Sequence, residues 1–338
     1  MKLLIITQAV DTEDPVLGFF VRWIDELSKQ FEQIEVICLK EGDHLLSKNV
    51  QVHSLGKEFG TTSKGVYVWR FLVLVWKLRN KHDAVFVHMN QEYILIAGWI
   101  WKLLSKRVYL WRNHYAGSWM TDIVAFFCTK IFCTSTHSFT AKYKKTVFMP
   151  VGVDTSRFFP DEHIQRIPHS ILFLSRISPS KHPEILINAL ALLAQENIAF
   201  SADFYGSPLQ KDEVYYEGLK EKVRILNLEN RISFYSGVPN SQTVDIYRAH
   251  EIFINTSPSG MLDKTIFEAA ASGCLILAAS DDIAKKAGRN LHFNSAAELA
   301  TLIKKYFTGA MSVPDLATLV KDNSLHVLGS RLAEEMTV

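Results

Sequence analysis

Two cations, Arg176 and Lys181, follow the apolar run ILFLS (171–175) in a loop that contains Pro179 and leads into a helical pattern. Beside a helix N-terminus, unpaired backbone N–H groups and the positive end of the helix dipole add to such charges, so the loop reads as an anion site that fits a diphosphate. The less favoured reading of the two cations is solvated surface charge. A second candidate is SPSGMLDKTIFEAAASGC (257–274), a Ser/Pro/Gly loop that turns into an Ala-rich helix. One acid, Glu268, sits there among Ile266, Phe267, Ala269, Ala270 and Ala271. Its carboxylate accepts hydrogen bonds and donates none, and Lys264 stands at the i,i+4 spacing of a weakly favoured helical ion pair. Asp263 occupies the position of an N-cap for the helix starting at Lys264.

The N-terminal half offers fewer such groups. LGFFVRW places Gly18 at the start of the first long helical pattern, where a glycine either lets a phosphate or acceptor approach the backbone or only makes a turn. YLWRNHYAGSW (109–119) ends a strand with Arg112, Asn113 and His114, and FVHMNQEY ends another with His88. A lone histidine is more often a structural hydrogen-bonder, and Arg112 suits either a charged acceptor or solvent.

These residues need a scaffold that brings strand ends together. KLLIIT (2–7) is a short apolar run and reads as a buried parallel strand, followed by an amphipathic segment over 17–31 with Phe20, Ile24, Leu27 and Phe31 at helical spacing. Strands are expected over 34–39, 50–55, 84–89, 107–111, 131–135 and 146–150, with helices over 66–80 and 92–105. A second set comes after the Pro/Gly-containing segment 150–170, with strands over 171–175, 200–206, 232–237, 251–256 and 274–279 and helices near 182–196, 211–226, 241–249 and 264–272. Alternation of this kind specifies two doubly wound α/β domains in series, with the cleft between them as the default ligand site. Neither domain carries G-x-G-x-x-G after its first strand, and no P-loop occurs, which weighs against dinucleotide dehydrogenases and P-loop enzymes.

At 338 residues and 48% hydrophobic content, the chain is long enough for two cores. Residues 1–150 carry 19 Lys and Arg against 13 Asp and Glu, a surplus of +6, while the whole chain is only +2. A basic first half suits an anionic partner such as a membrane surface or a charged acceptor. Cys38, Cys128, Cys133 and Cys274 have no metal spacing and no signal peptide is evident, so a cytoplasmic location is expected. The apolar segments 66–78 and 93–104 are too short to span a bilayer and are expected to be helices buried on most sides, with surface contact with a membrane as the weaker reading.

Three segments carry a resemblance. VGVDTSRFFP resembles the interdomain "NGVD…RF.P" segment of retaining family 4 glycosyltransferases, ILFLSRISPSKHPEILINAL their "G/SR…P.KG…LI.A" segment, and SPSGMLDKTIFEAAASGCLILAAS their "E…FG…LEAMA.G.PVI.S" segment. The resemblance implies a GT-B fold of two facing Rossmann-like domains: 1–152 on the acceptor side, 153–321 binding a nucleoside diphosphate sugar, and a helix over 322–338 packing back on the first domain. It assigns the donor diphosphate to Arg176 and Lys181 and the ribose hydroxyls to Glu268, whose carboxylate can take both hydrogen bonds of a cis-diol. It makes His114 the histidine near the anomeric carbon. Read from their positions, Gly18, Gly260, Asp263, Lys264 and Thr265 are donor-side candidates, and either Gly260 and Asp263 take over the sugar contact or donor recognition differs. Asn113, Arg112 and His88 become acceptor-side candidates. The chain departs from the pattern eight residues before Glu268, where the family's glutamate is Gly260, and its Gly-Leu is Asp263 and Lys264.

The activity implied by this resemblance is transfer of a hexose, with retention, to a glycan, lipid-linked sugar or small molecule. No cofactor, no metal and no nucleic-acid partner are expected, and the location is the cytoplasm or the inner face of the membrane. A nucleotide-sugar 2-epimerase and a non-catalytic nucleotide-sugar-binding protein stay open as alternatives.

Overall fold

The computed structural model describes residues 1–60, 62–260 and 262–337. The chain forms two compact units, Met1–Gly152 with Pro239–Ser241 and Ser324–Val338, and Val153–Val238 with Gln242–Asn323.

The first unit contains strands β1 (Lys2–Val10), β2 (Gln33–Glu41), β3 (Val50–Ser54), β4 (Ala84–His88), β5 (Arg107–Trp111), β6 (Lys130–Cys133) and β7 (Thr146–Phe148). Its helices are α1 (Gly18–Ser28), α2 (Lys64–Lys77), α3 (Glu92–Leu103) and α4 (Trp119–Phe127). The strands form one parallel sheet in the order β3-β2-β1-β4-β5-β6-β7. Leu3, Leu4, Ile5 and Ile6 are all fully enclosed because the sheet is covered on both faces, which explains an unbroken apolar run. Side chains alternate across the strand, so Leu3 and Ile5 meet α1 while Leu4 and Ile6 meet the layer of α2, α3 and α4.

The expectation of helices buried on most sides holds for α3, which buries Tyr93, Ile94, Ala97, Gly98, Ile100 and Trp101. It fails for α2, which buries only Phe71 and Val75 and leaves Trp69, Val73 and Trp76 exposed. α2 lies in the outer layer and touches the core along a single stripe. Among the described residues no helix is long and apolar enough to cross a membrane.

The second unit holds strands β8 (Ser170–Leu174), β9 (Ser201–Tyr205), β10 (Ile232–Tyr235), β11 (Ile252–Asn255) and β12 (Leu275–Ala278). Its helices are α5 (Pro183–Gln195), α6 (Glu213–Ile225), α7 (Thr243–Ala249), α8 (Lys264–Ala271), α9 (Asp281–Ala287), α10 (Ala296–Phe307) and α11 (Ala317–Asp322). Its parallel sheet has the order β10-β9-β8-β11-β12, so the direction of strand addition reverses between β8 and β11. At such a switch point the two loops leave the sheet in opposite directions and open a crevice at the carboxyl ends of the strands. Ala269, Ala270 and Ala271 are buried in α8, and their small side chains let that helix lie close to β11 and β12.

The last helix, α12 (Leu325–Thr337), returns to the first unit. Leu328, Leu332 and Met336 join the core that α1 forms on the sheet, and the Tyr109 hydroxyl donates to the Met336 carbonyl at 3.0 Å.

Candidate functional site

The site in the second unit is built from the loops after β8 and β11. β8 ends at Leu174 and the chain runs through exposed Arg176 into a short 3-10 turn, Pro179–Lys181. His182 then adopts a left-handed conformation, φ 50°, and Pro183 opens α5, where its missing N–H costs nothing. The Lys181 side chain is about nine-tenths enclosed. β11 ends at Asn255, and the Thr256 hydroxyl donates to the Lys181 carbonyl, tying the two loops together.

Around the Lys181 ammonium the polar groups are closely matched. Nζ donates to Asp263 Oδ2 at 2.6 Å and Oδ1 at 2.7 Å and to Ser257 Oγ at 3.1 Å. Asp263 also accepts from the Ser257 hydroxyl and from Asn255 Nδ2 at 3.0 Å. Burial pushes the Asp263 carboxyl up, but the Lys181 charge and these hydrogen bonds outweigh it and hold it below the usual carboxylate range. Asp263 stands at the N-cap position of α8, yet its side chain makes no capping bond. The ion pair with Lys181 takes precedence over the helix end.

One turn further, Glu268 is enclosed at 2% exposure. Lys264 Nζ lies 3.3 Å from its Oε1, and the Tyr247 hydroxyl donates to Oε2 at 3.3 Å. The i,i+4 pair is therefore present. Burial pulls the Lys264 ammonium below its ordinary pKa, with Glu268 opposing it. In the same first turn the Thr265 hydroxyl is buried and has no hydrogen-bond partner among the described residues. A buried unpartnered hydroxyl is costly, which makes Thr265 a candidate contact for a ligand group. Gly260 has φ 85° and its N–H donates to Asp282 Oδ2 at 3.2 Å. Met261 lies outside the described residues.

In the first unit, Gly18 opens α1 with its N–H donated to the Asp14 carbonyl at 2.9 Å. A Cβ at this position would stand 2.6 Å from the Thr12 carbonyl oxygen, so the close approach that demands glycine is by the chain's own backbone. Asn113 is engaged by the Thr134 N–H at 3.3 Å and the Ser138 hydroxyl at 2.8 Å. His114 Nδ1 accepts the Ala116 N–H at 2.9 Å, and its ring stacks on Tyr115 at 4.7 Å. Arg112 donates to the Ala116 carbonyl at 2.9 Å, and its second terminal nitrogen is buried without a partner among the described residues. His88 is different. It is 2% exposed, stacked on Phe20 at 3.8 Å and edged by Phe19 and Trp23, and burial drops its pKa to about 3. A ring so enclosed presents no face to an acceptor, which corrects the expectation for this residue: its strand ends beneath α1 rather than in the open.

Residues 155–309 match the family described as glycosyl transferases group 1. That segment contains Arg176, Lys181, Asp263 and Glu268. Among curated relatives, mannosylfructose-phosphate synthase of Agrobacterium fabrum is 31% identical over 144 residues, covering 39% of this chain and 32% of that protein. D-inositol 3-phosphate glycosyltransferase of Kineococcus radiotolerans is 26% identical over 149 residues, covering 40% of this chain and 34% of that one. The matched stretch thus spans about a third of these relatives' length. Among solved structures, Anabaena HepE in complex with UDP and glucose superposes with a TM-score of 0.78 at 17% identity, covering 100% of this chain and 99% of the other. The fold is that of GT-B glycosyltransferases, two Rossmann-like α/β domains with parallel sheets.

Sequence reasoning missed Asn255, Ser257, Tyr247 and Asp282. Asn255 and Ser257 had a visible signal, since they are polar residues that close an apolar strand. Tyr247 and Asp282 had none, because each reaches the site from a helix about twenty residues from its partner.

Proposed function

We propose that the protein is a retaining hexosyltransferase that takes a sugar from a nucleoside diphosphate sugar, with a uridine nucleotide as the donor to test first. The observation that carries this reading is the convergence of Lys181, Ser257, Asp263 and Asn255 where the loops after β8 and β11 meet, beside the start of α8. The match of residues 155–309 and the UDP held by HepE support it. Arg176 and Lys181 meet the diphosphate, and Glu268 takes the ribose hydroxyls once its bond from Tyr247 or Lys264 yields. Departure of the diphosphate concentrates negative charge on its oxygens, and fixed cations in an enclosed site stabilise that charge more strongly than water does. Asn113, His114 and Arg112 are the acceptor-side residues, with His114 directed to the reacting sugar. With no carboxylate pair suited to double displacement among the described residues, attack is from the front face, and the leaving phosphate removes the acceptor's proton.

Arg176, exposed beside the loop, and Lys181, held by Asp263, supply positive charge to the diphosphate without a divalent ion. Turnover should therefore survive EDTA, and strict dependence on Mg²⁺ or Mn²⁺ would count against this mechanism. Thermal-shift screening with UDP, GDP, ADP and their sugars tests the donor class, since a ligand at 100 times its Kd adds about 2.7 kcal/mol. Absence of a shift with every nucleotide would sink the reading. Gly260, whose N–H is held by Asp282, favours a second reading in which the chain binds a nucleotide sugar without transferring it. Binding without turnover across an acceptor mixture would select that reading.

A further inference from the structure

The outward side of α2, α3 and α4 is apolar where the solvent face of a surface layer is ordinarily polar. Four of the seven tryptophans are exposed, and all four lie here: Trp69 and Trp76 on α2, Trp99 on α3 and Trp119 on α4, each more than half exposed. Leu103 and Phe126 extend the patch. α3 and α4 are continuous across it, since Lys102 Nζ lies 3.6 Å from the ring centroid of Phe126. On α2 the Arg79 guanidinium lies 4.5 Å over Trp76. A contiguous apolar patch of this kind marks an interaction surface.

Charge decides what kind of partner fits. α2, α3 and α4, with Arg79 just past α2, carry Lys64, Arg70, Lys77, Arg79 and Lys102 against Glu92 and Asp122, a surplus of +3. Asp122 is paired with Lys142 at 2.7 Å. A second copy of the same face would set like charges against each other, and the cores of protein interfaces are depleted in lysine. Exposed tryptophans with cations beside them are instead the make-up of a bilayer interface, where the rings enter the headgroup region and the cations meet lipid phosphate. We propose that the α2–α3–α4 face rests on the surface of an anionic bilayer. The three helices have 14, 12 and 9 residues, shorter than the roughly 20 needed to span, so the contact is peripheral.

The test is sedimentation of the full chain with vesicles of phosphatidylcholine alone and of phosphatidylcholine containing roughly a third phosphatidylglycerol. The chain should pellet with the anionic vesicles, stay in solution with the neutral ones, and be released by high salt. Lys77→Glu combined with Arg79→Glu should weaken partitioning roughly 30-fold or more. Trp99→Ser combined with Trp119→Ser should weaken it as well. Lys77, Trp99 and Trp119 are exposed and Arg79 is partly exposed, so circular dichroism should be unchanged, and Lys211→Glu with Lys321→Glu in the second unit should leave partitioning intact. Failure to bind anionic vesicles at low salt, equal binding by the Lys77/Arg79 variant, or a dimer that Trp99→Ser abolishes in the absence of vesicle binding would each overturn the proposal.

Discussion

The Lys181 ammonium donates to both carboxylate oxygens of Asp263, at 2.6 and 2.7 Å, across 82 residues of sequence. The cation proposed to meet a diphosphate is thus held in place by an acid of its own chain. Lys181→Ala leaves the Asp263 charge unpaired and should cost about 2 kcal/mol, less than for a fully enclosed pair because Asp263 is 22% exposed. Turnover should fall about 100- to 1000-fold, the range for loss of one preorganised charge-stabilising group. Combining it with Asp263→Ala should restore most of the stability and none of the turnover. Chemical denaturation and transfer assays on the two single variants and the double separate the structural effect from the functional one. Recovery of turnover in the double variant would remove Lys181 from the diphosphate.

Glu268 leads to a different expectation. Glu268→Ala removes the acceptor of the buried Tyr247 hydroxyl and the partner of Lys264, at a cost of about 2 kcal/mol. Its specific signature is in nucleotide discrimination. By calorimetry, the wild type should prefer UDP over its 2′,3′-dideoxy analogue, and Glu268→Ala should bind the two alike. A variant that kept the preference would show that other groups hold the ribose.

The strands were legible in the sequence because burial on both faces leaves them as short apolar runs, and RVYLW coincides with β5 from Arg107 to Trp111. α4 was not, since Trp119, Ile123 and Phe126 are apolar on its outward side and erase the amphipathic pattern. α10 was readable but overlooked: Ser295 accepts from the Glu298 N–H at 3.2 Å, the pattern of a Ser with Glu three residues on. For the site, the sequence supplied residue types and chain order. It could not supply the Lys181–Asp263 pair, which exists because β8 and β11 are neighbours in the sheet, a fact of strand order rather than of local pattern.

The backbone at Gly260 disfavours a glutamate. At φ 85° a side chain is strained, and the neighbouring Asp282 carboxylate, which accepts the Gly260 N–H, would repel an added acid. Gly260→Glu should therefore destabilise the second unit by roughly 1–3 kcal/mol and leave turnover no higher. Denaturation midpoints and transfer assays check this. A stable variant with increased turnover would mean that the loop readily adopts another backbone conformation.

α12 gives a prediction about the first unit alone. Leu332 is fully enclosed between α1 and the sheet, so Leu332→Ala should cost about 2–5 kcal/mol. The loss should fall on the first unit, whose amides should exchange faster while those of β8 and β11 keep their protection. Hydrogen exchange read by mass spectrometry distinguishes the two regions. Equal loss of protection in both would show that the units unfold together.

His88 makes the first unit sensitive to acid. Its imidazole, stacked on Phe20 with the Thr7 hydroxyl 3.5 Å from Nδ1, is held neutral because burial lowers its pKa from 6.5 to about 3. The unfolded chain takes up the proton below about pH 6.5, whereas the folded chain resists it until about pH 3. Between those values the unfolded state binds more protons, so stability falls as the pH falls, by up to about 1.4 kcal/mol per pH unit. His82, pulled down to about 4 by burial and by Lys106, adds in the same direction. His88→Phe keeps an aromatic ring against Phe20 and removes one of the two protons. Urea midpoints of wild type and variant between about pH 7 and pH 4 should diverge, the wild type losing stability more steeply. Parallel slopes would mean that His88 already takes up its proton in the folded state, with space or water at the ring that its enclosure by Phe19, Phe20 and Trp23 does not provide.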